Sequence, residues 1–164
     1  MKVAKIISGG QTGADQGGLD AAIHRSLPHG GWCPKGRKSE NGVIPAKYLL
    51  QEHKSTDYLA RTKANVMDSD ATVIFTFGEL EGGSLKTAQF AQKHNKPYLH
   101  VNLAQLSRPE SIQAVIEWLQ EACPDSCALN VAGSRESKAP GIQQAVMERM
   151  TEIIGKANNP PALN

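Results

Sequence analysis

The chain has 164 residues, 40% of them hydrophobic and 21% charged, with a formal net charge of +2. That length suits one domain with a sizeable core, and the composition is too apolar for a disordered chain. The small net charge gives no argument for nucleic acid. No apolar run approaches the roughly 18 residues of a membrane span, and Gly9 and Gly10 interrupt the N-terminal apolar run too soon for a signal peptide. Cytoplasm is the expected compartment.

In chain order, residues 3–7 read as a buried strand ended by Gly9 and Gly10. Residues 15–26 read as a helix, with Leu19, Ala22 and Ile23 at helical spacing. Residues 31–33 form a short second strand, and residues 34–45 a long, basic, glycine-containing loop. Residues 56–67 read as a helix with Ser55 as its N-cap, and the β-branched and aromatic run 72–77 as a strand. A helix over 85–94 and a strand over 98–102 follow. Ile112, Val115, Ile116 and Leu119 mark an amphipathic helix with Pro109 near its start. Residues 128–131 give a last strand, and Ile142, Val146, Met150 and Ile153 the last helix. The domain spans 1–156, and the tail 157–164, with two prolines and little to bury, is expected to fray.

Strands alternating with helices imply an α/β, doubly wound parallel sheet of about five strands with helices on both faces. The expected strand order is 2-1-3-4-5. Ligands of such sheets sit at the carboxyl ends of the strands where the order reverses, here between the first and third strands. The loops after those two strands are the most glycine-rich in the chain.

The first of these loops is Ser8, Gly9, Gly10, Gln11, Thr12 and Gly13. Glycines let the backbone turn sharply and approach a ligand, and the helix that follows favours an anion at its start. It is neither a Walker A sequence nor a G-x-G-x-x-G. Asp15, at the helix start, suits capping as well as it suits bonding a sugar hydroxyl or ring N–H. The second loop runs from Gly78 through Glu79, Leu80 and Glu81 to Gly82, Gly83 and Ser84, with Thr87 in the first helical turn. A third holds Gly133, Ser134 and Arg135, whose guanidinium could pair bidentately with phosphate. In the basic run, Lys35, Arg37 and Lys38 are either a solvated patch or further phosphate ligands, and Trp32 either packs or stacks on a heterocycle. Tyr58, Arg61 and Asn65 share one side of their helix, which reads as a solvent face. The three cysteines form no disulfide framework, and the Cys123–Cys127 spacing offers too few ligands for zinc, so no metal site is expected.

The segments SGGQTGADQGGLDAA, GGWCPKGRKSENGVIPAKY, DYLARTKANVMDSDATVIF and GELEGGSLKTAQFA, in this order, resemble the molybdenum carrier family, a circularly permuted branch of the SLOG superfamily of Rossmann-like nucleotide-binding proteins. NVAGSRES, residues 130–137, is similar to that family's closing loop. The resemblance implies a pocket for a nucleotide or a nucleotide-derived ligand, with molybdenum cofactor, a phosphate-bearing pterin, as the cargo that the carrier label names. It turns Gly9, Gly10, Thr12, Gly13, Asp15, Lys35, Arg61, Asn65, Gly82, Gly83 and Thr87 towards the ligand, and makes oligomers plausible. Relatives that cleave nucleoside monophosphates carry a glutamate where this chain has Gln89. An amide cannot exchange a proton at neutral pH, so no catalytic residue is assigned. The leading expectation is a binding protein for a phosphate-bearing small molecule, without nucleic-acid or membrane partners. The alternative is a nucleotide N-glycosidic hydrolase using Asp15, Glu79 or Glu81.

Overall fold

The structure, a computed structural model, describes residues 1–162. Strand β1 (Lys2–Ile7) leads into helix α1 (Ala14–His24) and the short β2 (His29–Gly30). An excursion follows, with β3 (Trp32–Cys33), β4 (Lys38–Ser39), β5 (Gly42–Val43) and β6 (Gln51–Glu52). Then come α2 (Tyr58–Asp68), β7 (Ala71–Thr76), α3 (Gly82–Lys93), β8 (Tyr98–Asn102), α4 (Arg108–Ala122), β9 (Ser126–Gly133) and α5 (Ile142–Asn158). The central sheet has five strands in the order β2-β1-β9-β7-β8, all pairings parallel. The fold is α/β and Rossmann-like, as the alternation of apolar runs and amphipathic segments implies.

The order differs from the expected one in a single respect. The last strand, β9, enters the sheet between β1 and β7 instead of extending its far edge. Burial explains the placement. Leu129 and Val131 are buried on one face of β9 and Asn130 on the other, and Val73, Ile74 and Phe75 are buried in β7; a strand covered on both faces belongs in the interior of a parallel sheet. The edge strand β8 is half-buried along most of its length. Right-handed crossovers from β1 to β2, β7 to β8 and β8 to β9 put α1 and α4 on one face of the sheet and α3 on the other. Helix α5 packs on both α1 and α4, and α2 packs on α3.

Close packing explains the glycine pair inside α1. A Cβ on Gly17 would lie 2.6 Å from the Gln143 carbonyl oxygen, and one on Gly18 would lie 2.6 Å from the Val131 Cβ. The helix therefore meets α5 and β9 at a distance that only glycine allows, which outweighs glycine's poor helix propensity.

Two local readings shift. The expected second strand splits: His29–Gly30 joins the central sheet beside β1, whereas Trp32–Cys33 pairs with Gln51–Glu52. Helix α2 starts two residues later than expected, because the Asp57 side chain, not Ser55, accepts from the Leu59 N–H. At the C-terminus, α5 runs to Asn158, whose side chain bonds both the N–H and the C=O of Val3, each at 2.9 Å. The tail expected to fray is thus helical over its first two residues. Residues 159–162 follow without regular structure, and residues 163–164 lie outside the described residues. No described helix is long and apolar enough to cross a membrane.

Candidate functional site

The carboxyl ends of β1, β9 and β7 open into a cavity of about 420 Å³. Its wall takes Gly9, Gln11 and Asp15 from the first glycine loop and its helix, and Glu81, Gly83, Ser84 and Thr87 from the second. Ser134 and Arg135 come from the loop after β9, and Arg61 and Asn65 from α2. The two glycine loops expected to meet at the sheet edge therefore line one cavity, with the end of β9 between them.

Arg61 turns inward. Its Nη1 lies 3.3 Å from Asp15 Oδ2, and the two side chains are only 11% and 8% exposed. A Cβ on Gly9 would stand 1.6 Å from that Nη1, so the absence of a side chain at Gly9 is what lets the guanidinium lie against the β1 loop. Arg61 Nε is buried with no hydrogen-bond partner, although such groups are rarely left unsatisfied. Asp15 Oδ2 also accepts from the Gln11 N–H. Burial pushes the Asp15 carboxyl above its ordinary value, and the Arg61 guanidinium and the Gln11 N–H pull against that rise without cancelling it.

Elsewhere in the lining of the cavity the chemistry is cationic. Lys38, Arg135 and Lys138 line it, and among the described residues none of the three has an ion-pair partner. Helix α3 begins here. The N–H groups of Gly82 and Gly83 belong to its first turn, which has no intrahelical acceptor to offer them. Lys138 Nζ lies 3.9 Å from the position a Cβ on Gly82 would take. An ammonium beside the positive end of a helix is electrostatically unfavourable unless an anion joins them. The acidic members of the lining are Asp15 and Glu81.

Not every expected ligand-facing residue lines the cavity. Gly10 packs towards Ile44 and Leu50, and Gly13 towards the Ser134 carbonyl. Thr12 is buried, and its hydroxyl donates to Glu40. Gly82 and the exposed Lys35 also lie outside the lining. Several N–H groups of the first loop are already committed: Gly10 donates to Ser8 Oγ, Gln11 to Asp15 and Thr12 to Gln11 Oε1. Asn65 lines the wall, but its amide also clamps the Trp32 backbone, accepting from the N–H at 2.7 Å and donating to the C=O at 2.9 Å. The hydroxyls of Ser84 and Thr87 donate to the Glu81 and Gly83 carbonyls. Trp32 packs edge-on against His53 and donates to Asp68. Arg37 is structural, donating to the carbonyls of Ile44, Pro45, Tyr48 and Leu50.

The lining also takes Lys38, one of the cations that the basic run offered as phosphate ligands, and Ser39, Asn130 and Lys138, which were not among the expected site residues. Lys138 stands one turn beyond Arg135; Asn130 carries no sequence signal, being a polar residue inside an apolar strand. None of Cys33, Cys123 and Cys127 reaches the cavity, and all three are buried. Burial and the neighbouring Cys123 push the Cys127 thiol up, which leaves it a poor nucleophile.

This architecture, with a parallel sheet wound on both sides and a glycine-lined cavity at the strand ends, defines a Rossmann-like α/β protein. The chain belongs to the circularly permutated YpsA SLOG family, whose model matches residues 6–154. It is 45% identical to the crystal structure of a protein named "Putative molybdenum carrier protein" from Syntrophus aciditrophicus SB. That likeness covers 93% of this chain and 94% of the other, with a TM-score of 0.87. Among curated proteins, none matches.

Proposed function

We propose that the protein binds a phosphate-bearing, nucleotide-like small molecule in this cavity and acts as a carrier of it, with molybdenum cofactor as the candidate cargo. The observation that carries the reading is the convergence on one cavity of three cations, Lys38, Arg135 and Lys138, that have no ion-pair partner within 4 Å among the described residues, beside the first N–H groups of α3. Such an arrangement is stabilised by a bound anion. The volume of about 420 Å³ lies within the range usual for small-molecule sites, about 300–1,000 Å³. The phosphate fits beside Lys138 and the start of α3, and the heterocycle fits beside Asp15 and Arg61, which offer an acceptor beside donors. No thiolate lines the wall, so a molybdenum atom in the cargo would be held through the cargo's own ligands.

The experiment is a comparison by calorimetry of nucleoside 5′-monophosphates with the parent nucleosides, and of the phosphorylated pterin with its dephosphorylated form. The phosphorylated member of a pair should bind tighter, with an advantage that falls as salt rises and is lost in the Arg135→Ala, Lys138→Ala double variant. Equal affinity within every pair would overturn the reading.

A hydrolase is the second reading, favoured by one observation: Asp15 is a buried carboxyl, held above its usual range, in the wall of the same cavity. Raised carboxyls suit proton donation. Gln89 gives no support, since it is exposed and outside the lining.

A further inference from the structure

The hairpin formed by β4 and β5 pairs only Lys38 with Val43 and Ser39 with Gly42. Val43 is 74% exposed, and Asn41 and Gly42 are exposed as well. An isolated two-stranded ribbon of this size has little stability of its own. Its root is held by Arg37 through the carbonyls already described, but those lie at and beyond Ile44 and leave the tip unsupported. Strand β4, between that root and the tip, nevertheless contributes Lys38 and Ser39 to the cavity wall.

Glu40 supplies what holds it. Its carboxylate accepts from the Thr12 hydroxyl, from the Ser137 N–H at 3.1 Å and from the Ser137 hydroxyl at 2.5 Å. Its own N–H donates to Gln11 Oε1 at 2.9 Å. One side chain thereby ties the hairpin to the loop after β1 and to the loop between β9 and α5, the two segments that also carry Gln11, Ser134 and Arg135. The Thr12 oxygen in turn accepts from the Glu136 N–H at 3.3 Å.

We propose that Glu40 is a positioning residue of the binding site: it latches the hairpin across the two loops and so holds Lys38 and Ser39 against the cavity. Resting on the reading of the cavity as an anion site, this makes the latch part of how the ligand is held. The latch is built from charge-assisted hydrogen bonds, which are stronger than neutral ones, so its loss frees the tip without opening the core.

The test uses the full chain, its Glu40→Ala, Glu40→Gln and Lys38→Ala variants, hydrogen exchange and titration with inorganic phosphate. Glu40→Ala should speed exchange of the amides over residues 38–43 by about tenfold or more and weaken phosphate by about tenfold, the scale of one or two lost hydrogen bonds. Exchange in β1, β7 and β9 should stay as in the unaltered protein. Glu40→Gln keeps an acceptor for Ser137 and should fall between the two. Lys38→Ala should weaken phosphate while the hairpin stays protected, which separates positioning from direct contact. Unchanged exchange over 38–43 in Glu40→Ala overturns the latch. Faster exchange with unchanged phosphate affinity overturns the positioning role. If the unaltered protein binds no phosphate, the anion-site reading fails and the positioning role with it, while exchange still decides whether Glu40 holds the hairpin.

Discussion

Arg61 and Gly9 occupy each other's space: the guanidinium of one lies where the side chain of the other would be, 1.6 Å from an ideal Cβ. The same guanidinium reaches Asp15 at 3.3 Å and leaves a buried Nε without a partner. A side chain read from helix periodicity as solvated is thus stored inward, in a groove made by a glycine.

From this follows a coupled pair of variants. Arg61→Ala should cost roughly 1.5–3 kcal/mol of ligand binding, the worth of a charge-assisted hydrogen bond. Gly9→Ala must displace the guanidinium, which is the flexible end of its side chain, so the fold should survive. Because both changes remove the same interaction, the double variant should bind no worse than Arg61→Ala alone. Additive losses in calorimetry would show that the two residues act independently.

Asp15 makes a pH prediction. Its folded pKa lies above the ordinary 3.8, so the folded state binds the proton more tightly than the unfolded state. This group's contribution to stability therefore falls as pH rises from about 3.8 through the folded pKa, and the cost is complete above it. Asp15→Asn removes that dependence. In denaturant unfolding across this window, the stability of the Asn variant relative to the unaltered protein should increase with pH. A flat or falling difference would mean that Arg61 fully compensates the burial.

Gly83 lines the cavity at the start of α3, and a Cβ there would meet nothing closer than a Tyr58 ring carbon at 3.9 Å. Gly83→Val should therefore fold with little loss of thermal stability, yet place branched carbons where a ligand approaches the helix N-terminus. Binding should collapse. Unchanged affinity in a folded variant would move the anion site away from α3.

The carrier and hydrolase readings separate on base release. Gln89 is exposed and outside the cavity, its amide exchanges no proton at neutral pH, and general acid–base catalysis is worth about 10²–10⁴-fold. Purified protein should release no free base from nucleoside monophosphates above background, and Gln89→Glu should gain none, since its carboxylate would face solvent. Robust release, abolished by Asp15→Asn, would make the protein an enzyme with Asp15 as its acid.

The sequence by itself determined the fold class and the two loops that share one cavity. Strand and helix periodicities persist through burial because each element must hide one face, so Val3, Ile6, Val73, Phe75, Leu129 and Val131 were legible as core. The two glycine loops were legible as neighbours, since parallel strands deliver their following loops to one edge. Tertiary structure decided the rest. The last strand entered between the first and third, where both of its faces are covered and the buried Asn130 amide reaches the Thr72 hydroxyl of β7. Arg61 turned inward because Gly9, remote in the chain, left it room. The committed N–H groups of the first loop moved the available donors to α3 and to Lys138. Glu40, an ordinary acid in a polar hairpin, acquired Gln11, Thr12 and Ser137 as partners, 29, 28 and 97 positions away in the chain. Periodicity and local propensity carry no record of such contacts, because they arise only when the chain has closed on itself.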